Sequence, residues 1–308
     1  MRDPSAVRSL AIDDVVSTRR LRDAGLAASW IDRQVREGRW QRLHRGVLVV
    51  HSGPVAWRSR ARGGLIYAGE GAALSHHSAA FLQGVLDKAP AVVEVSVPGY
   101  RKVRPSPGLR IHRRADVSAV GRLPVTDRGT TVLDLLQGAD STDDAVGLLC
   151  AAVRARTSPL EILDALARRE RFGPRALVLD VMADVRAGVE SPLERRYHHQ
   201  VERRHGLPRA ELQARGVIDG RWIRADCRYV RYGLRVELDG ELAHPGGRTD
   251  DDVWRDNALL LTYGDLTLRY RWRHVAGIPC RTASQVGTAL GRRGWTGRLR
   301  RCSPACAL

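Results

Sequence analysis

Lysine is nearly missing from this 308-residue chain: of 51 basic residues only Lys88 and Lys102 are lysines, so none is on offer to chemistry beyond residue 102. Long apolar runs are missing too. No stretch of about 18 apolar residues occurs, which excludes a transmembrane helix. The start, Met1-Arg2-Asp3-Pro4, lacks an apolar h-region and a small-residue cleavage site, so it does not read as a secretory signal and a cytoplasmic location is expected. Cysteine is sparse. Cys150, Cys227, Cys280, Cys302 and Cys306 match no zinc template in their spacing, and an odd number in a chain without a signal points to free thiols. Cys302 and Cys306 lie near an end expected to fray, a weak place for a metal. There is no internal repeat and no low-complexity tract.

What is abundant is positive charge and core-forming residues. Lys+Arg outnumber Asp+Glu 51 to 34, a formal net charge of +17, and 43% of residues are hydrophobic. That balance favours polyanionic partners, nucleic acid first and a membrane surface second. The arginine bias has two readings: a better fork for phosphates and guanine edges, or a GC-rich coding sequence.

Residues 13–50 read as helix, helix, hairpin. Ser17-Thr18 can cap a short helix that stops at Gly25. Ser29 can open a second, Trp30 to Glu37, with Trp30, Ile31 and Val35 at helical spacing. Trp40 to Val50 then alternates about Arg45-Gly46 as a two-stranded ribbon. This order is that of a winged helix. Arg33, Gln34 and Arg36 would offer base or phosphate contacts from the second helix, and Arg39, Arg42, His44 and Arg45 would sit on the wing. A small helical domain with a solvated basic face is the alternative.

The run Leu21-Arg22-Asp23-Ala24-Gly25, Ile31, and Gly38 to Val47 resembles the winged-helix domain of AbiEi-type antitoxins, as does Leu74-Ser75-His76-His77-Ser78-Ala79-Ala80. Val93 to Pro98 and Leu123 to Leu135 complete a resemblance over roughly residues 10 to 140. It implies DNA binding, often at the family's own promoter. Adjacent helical side chains point about 100° apart, so His76 and His77 are expected at a helix start rather than on one ion. Val92–Val97 and Leu109–His112 read as a hairpin crowded by Arg101, Lys102, Arg104, Arg110, Arg113 and Arg114. These form a phosphate-contacting edge or a solvated face. Residues 131–185 read as helical.

In the last third, Ser191-Pro192-Leu193-Glu194 is a helix start, with Leu193, Tyr197 and Val201 forming one buried stripe. Strand-like runs follow at Leu212–Ile218, Arg221–Tyr229 and Leu234–Leu238, with Asp219-Gly220 as a hairpin turn. A helix opens at Asp250-Asp251-Asp252 and stops at Gly264, and Leu266–Tyr270 is a fourth strand. If the second and third strands pair, Asp226 comes opposite residues 237–239, where it and Glu237 could share a hard cation. From Glu237 to Asp256 there are acids at 237, 239, 241, 250, 251, 252 and 256 against arginines at 248 and 255. Asp250–Asp252 also suit a helix N-terminus, Glu194 also suits a capping box, and Arg255-Asp256 either pair locally or orient the site. His244 could serve in proton transfer or orient the site from outside.

Val236-Glu237-Leu238-Asp239-Gly240-Glu241-Leu242-Ala243-His244, with Arg224-Ala225-Asp226 before and Trp254-Arg255-Asp256-Asn257 after, resembles the DUF559 family, similar to very-short-patch-repair endonucleases of the PD-(D/E)XK superfamily. The resemblance covers about residues 188 to 275. It implies a restriction-endonuclease-like fold, divalent-metal phosphodiester cleavage, Asp226 and Glu237 as metal-binding acids, Glu194 as the acid on the first helix and His244 as the active-site histidine. The superfamily's lysine after the second acid is replaced by Asp239.

The expected fold is thus an α+β winged helix followed by an α/β endonuclease-like domain with an α-β-β-β-α-β core. The expected segments are 1–55 (winged helix), 56–140 (AbiEi-like α+β), 141–187 (helical connector), 188–280 (endonuclease-like) and 281–308. The last has six arginines and no acid, and tracks nucleic acid or is a disordered end. The expected function is magnesium- or manganese-dependent cleavage of double-stranded DNA. Asp226, Glu237 and the Leu238 carbonyl would hold the ion, in a chain that binds no membrane and could dimerise. The rival is a non-catalytic AbiEi-type autoregulator with a nuclease-like scaffold and a partner toxin. Binding of structured RNA is a third option.

Overall fold

The computed structural model describes residues 7, 9–117, 119–186, 189–218, 220–239, 250–306 and 308. The chain is mixed α+β and divides into two compact units, Met1–Arg175 and Ala176–Leu308.

The first unit begins with β1 (Val15–Ser17), α1 (Thr18–Asp23), α2 (Ala28–Arg36), β2 (Gln41–His44) and β3 (Val47–Val49), whose strands form an antiparallel sheet ordered β1-β3-β2. Ser17 caps α1, its hydroxyl accepting from the Arg20 N–H at 3.1 Å. The second helix starts earlier than Ser29 implies: Ala27 is its cap and contributes no side-chain bond. Leu21, Ile31, Trp40 and Leu48 close a small core, with Trp30 edge-on to Trp40 at 5.4 Å.

There follow α3 (Trp57–Ala68), β4 (Ala73–Leu74), α4 (His76–Leu82), β5 (Val93–Pro98), β6 (Leu109–Arg114), β7 (Ala119–Val120) and β8 (Val125–Thr126). Their sheet runs β6-β5-β4-β8-β7. Helix α3 carries the pair Gly63-Gly64 because it lies between two sheets. A Cβ on Gly63 would come within 2.2 Å of Leu43, and one on Gly64 within 2.9 Å of Leu109. The expected hairpin over 92–112 is not one: β5 and β6 are parallel, Val93 beside Leu109 through Pro98 beside Arg114. The residues between them, turned by Pro98-Gly99 and by a Ser106–Leu109 bridge, carry the chain back to its starting end.

The stretch expected as a connector is part of both units. Helices α5 (Arg128–Leu136), α6 (Thr142–Arg154) and α7 (Pro159–Ala167) bury Leu133, Leu149 and Ile162 within the first unit. A complete Ser158/Glu161 capping box opens α7. Helix α8 (Arg175–Arg186) starts at the boundary and is tied by ion pairs from Asp180 and Asp184 to Arg195 of the second unit.

The second unit continues with α9 (Pro192–Arg196), a π-helical stretch Tyr197–Arg203, β9 (Glu211–Ile218), β10 (Arg221–Tyr229), β11 (Leu234–Asp239), α10 (Asp250–Tyr263), β12 (Leu266–Arg271) and α11 (Pro279–Arg292). Its sheet is ordered β12-β11-β10-β9, with β11 and β12 parallel and the other pairs antiparallel. The π-turn answers a sequence demand. Leu193, Tyr197, Val201 and His205 recur at four-residue steps and all are buried. An α-helix drifts about 40° per such step, whereas wider π-turns drift the other way and keep all four on one face. The basic end is not a tail. Ala283, Val286 and Leu290 of α11 lie in the core beside Tyr197, Cys227 and Val236, and Trp295, Leu299 and Leu308 pack against it.

Candidate functional site

Alternation along β10 and β11 sends Ala225, Cys227, Tyr229, Leu234, Val236 and Leu238 into the core. The residues between them share the opposite face. The antiparallel register pairs Tyr229 with Leu234, Arg228 with Arg235 and Cys227 with Val236, and the paired ladder ends there; Asp226 and Glu237 are the next residues on their two strands. The Leu238 N–H donates to Asp226 Oδ2 at 2.7 Å and fixes that carboxylate at the end of the ladder.

Glu194 reaches the same end from α9. It is 5% exposed, and its Oε2 accepts from the Glu190 N–H (2.8 Å) and from Gln213 Nε2 (3.0 Å). The capping box is half formed: Ser191 Oγ accepts from the Glu194 N–H at 3.1 Å, while the Glu194 carboxylate reaches past Ser191 to Glu190. Gln213, facing Asp226, interrupts the β9–β10 ladder with a φ of 51°. Its Oε1 is buried with no hydrogen-bond partner among the described residues.

Burial raises the Glu194 carboxyl from its ordinary pKa, and the nearby Asp226 charge adds to the rise. Burial also raises Asp226, helped by the charge of Asp239 and opposed by the Leu238 N–H. A cation placed between these acids would relieve both.

Asp239 is paired to a cation from another strand. Arg269 of β12 stands beside Glu237 in the parallel register, donates to Asp239 at 3.2 Å, and grips Asp256 of α10 through Nε (3.1 Å) and Nη2 (2.7 Å). Asp256 thus pairs across elements with Arg269. Local sequence could not place Arg269 here, because the β11–β12 register is set by long-range pairing. Glu190 on the flank pairs with Arg224 at 2.9 Å. His244 and Glu241 lie outside the described residues.

Among the described residues, three or more metal-ligating groups come within 4.8 Å of one another in two places, neither containing Asp226 or Glu237. At Asp180, Asp184 and His199 the cation is protein: Arg195 binds both acids and Arg203 approaches Asp184 at 3.8 Å. The other place gathers His205, Cys280, Cys302 and Cys306, three of the thiols whose spacing matched no template.

In the N-terminal unit Arg33, Arg36, Arg39, Arg42 and Arg45 are exposed around α2 and the β2–β3 ribbon. Arg39 pairs with Glu37 at 3.1 Å and Arg42 with Asp32 at 3.7 Å. Gln34 and His44 are corrected. Gln34 is 6% exposed because it shares the inward face of α2 with Ile31, so it offers nothing to a base. His44 is buried, its Nδ1 2.8 Å from Ser106 Oγ. His76 and His77 diverge at the start of α4. His76 stacks on His112 at 3.6 Å, while the His77 ring and N–H both reach Glu94. On the β5–β6 edge, Arg110 and Arg114 turn to Glu94 and Asp134, while Lys102, Arg104 and Arg113 are exposed.

No protein-family model matches the chain, and no curated protein matches it. Among solved structures, the RV2827C protein from Mycobacterium tuberculosis is similar over 58% of this chain and 74% of its own, at 18% identity and a TM-score of 0.41. That likeness is too distant to argue from.

Proposed function

We propose that this chain is a double-stranded-DNA-binding protein whose C-terminal unit hydrolyses phosphodiester bonds with a magnesium or manganese ion. The observation that supports the reading best is the pair of buried carboxyls, Asp226 just past the last β10–β11 pair and Glu194 near enough to feel its charge, both raised above their ordinary pKa, with Glu237 the next residue along β11. Two further features fit a hydrated hard cation. One or two carboxylates plus waters is the ligand set magnesium accepts, and the unpartnered Gln213 Oε1 is an acceptor for such a water.

Asp226 and Glu237 would hold the ion, with the Leu238 carbonyl beside them. When bound, it polarises the scissile phosphate and lowers the pKa of an attacking water. Glu194, buried beside Asp226, orients water through its carboxylate and holds a proton more readily than an exposed acid does. Arg269, held by Asp256 and Asp239, supplies from β12 the positive charge that the missing lysine would give. The exposed arginines of α2 and the ribbon recruit the duplex, in the manner of a winged helix.

Incubation with supercoiled plasmid and magnesium tests this. Nicking is expected from the unaltered chain and is reduced to background in Asp226→Asn and Glu237→Gln. Arg269→Lys retains more activity than Arg269→Ala. Equal nicking by all variants, or none with magnesium or manganese while DNA binding persists, would leave the non-catalytic DNA-binding regulator as the correct reading.

A further inference from the structure

We propose that His205, Cys280, Cys302 and Cys306 bind a single structural zinc ion that ties the chain's last residues to the core of the C-terminal unit. The four ligand atoms all lie within 4.8 Å of one another. Cys280 Sγ is 3.6 Å from Cys302 Sγ, and Cys306 Sγ is 3.9 Å from His205 Nε2. Zinc–sulfur bonds of about 2.3 Å in a tetrahedron set sulfur atoms roughly 3.8 Å apart, with nitrogen–sulfur edges slightly shorter. The sulfur–sulfur spacing lies close to that edge and the nitrogen–sulfur spacing a few tenths of an ångström above its own, so small side-chain shifts bring the four atoms onto one ion.

The imidazole carries an independent sign. His205 is fully buried, and its Nδ1 lies 3.0 Å from the Val201 carbonyl. A carbonyl only accepts, so Nδ1 holds the ring proton and Nε2 presents its lone pair to the three sulfurs. That outer bond is the arrangement that orients metal-ligating histidines.

Each ligand is placed by a separate device. The π-turn keeps His205 on the buried stripe, and Gly206, at φ 69°, ends that helix. A Cβ on Gly206 would meet Arg300 at 3.0–3.1 Å, so the glycine lets the final segment lie close. The Arg300 N–H then donates to the His205 carbonyl at 2.8 Å. Cys280 is in the first turn of α11, where a helix N-terminus favours a thiolate. A turn closed by the Cys306 N–H to the Ser303 carbonyl brings Cys302 and Cys306 together.

Four protein ligands leave no open position, the mark of a structural rather than a catalytic zinc. Binding displaces the three thiol protons and leaves a tris-thiolate, mono-imidazole centre of net charge −1, with Arg300 alongside. The proposal does not rest on the nuclease reading.

The test uses the full-length reduced protein. After dialysis against chelated buffer, one zinc per chain is expected by elemental analysis, and none in a Cys302→Ser/Cys306→Ser variant. Cobalt in place of zinc is expected to give the thiolate charge-transfer band and strong visible bands of a tetrahedral site, a readout that needs no variant. Chelation is expected to lower the Tm of the unaltered chain. The proposal is overturned if the folded, reduced protein retains no zinc, if the double variant retains as much, or if its cobalt spectrum lacks thiolate charge transfer. Peptide mapping that finds Cys280 joined to Cys302 by a disulfide in protein from a zinc-replete cytosol would overturn it too.

Discussion

Asp226 and Glu194 make the pH response of stability a report on the site. Both carboxyls are raised on folding, so the folded chain holds their protons more tightly than the unfolded chain. Their contribution to stability is full in acid, below the unfolded values, and is lost as pH rises through the raised ones. Asp226→Asn removes part of that loss. In metal-free buffer near pH 7 the variant is expected to melt above the unaltered chain, and at acid pH the two converge. Magnesium is expected to raise the Tm of the unaltered chain alone. Glu94 has the opposite sign. Burial works to raise it, but bonds from His112 and His77 outweigh burial and hold its pKa at about 2. Its contribution is present above the ordinary value of 4.5 and fades as pH falls toward 2. Glu94→Gln is expected to cost about 2–3 kcal/mol at neutral pH and nothing at the acid limit, measured by urea unfolding across that range.

Among the elements, the β11–β12 edge depends on one buried acid. Asp265 and Arg235 are each 1% exposed and 2.7 Å apart, and Arg228 shares the carboxylate at 2.9 Å. Asp265→Ala strands a buried guanidinium whose Nη atoms have no hydrogen-bond partner among the described residues, and is expected to cost about 3–5 kcal/mol in chemical denaturation. Helix α11 supplies a second check. Leu290→Ala, at a fully buried position, is expected to cost about 2–5 kcal/mol, whereas a solvated tail would lose nothing. Sequence misread this helix because Arg281, Arg292 and Arg293 dominate its composition, while Ala283, Val286 and Leu290 carry the packing. What was legible was local: the Ser17 cap, the Ser191-Pro192 start, the Gly220 turn and the alternation along β10 and β11 that buries Ala225, Cys227, Val236 and Leu238. What was not legible was long-range. The parallel pairing of β5 with β6, the arrival of Arg269 beside Asp239, and the gathering of three cysteines around His205 all depend on contacts distant in sequence. Gln34 failed for a different reason: a polar residue on the inward stripe of α2 looks like a contact until the helix phase is known.

For the molecule as a whole, the proposed DNA binding by a chain of charge +17 is expected to be steeply salt-dependent. A double variant Arg33→Ala/Arg36→Ala is expected to lower affinity on every duplex and to flatten the slope of log K against log salt by up to about 0.9 for each phosphate contact removed. Fluorescence anisotropy over a salt series measures it; an unchanged slope would place the DNA surface elsewhere.

The two exposed lysines, Lys88 and Lys102, both belong to the Met1–Arg175 unit. Side-chain amines are therefore confined to one half of the protein. Acylating dyes, biotin esters and acetyl-transferring enzymes can mark the N-terminal unit's side chains but find no lysine in the unit that carries Asp226 and Glu237. A fluorophore attached this way follows the N-terminal unit by itself and leaves the acidic centre chemically untouched.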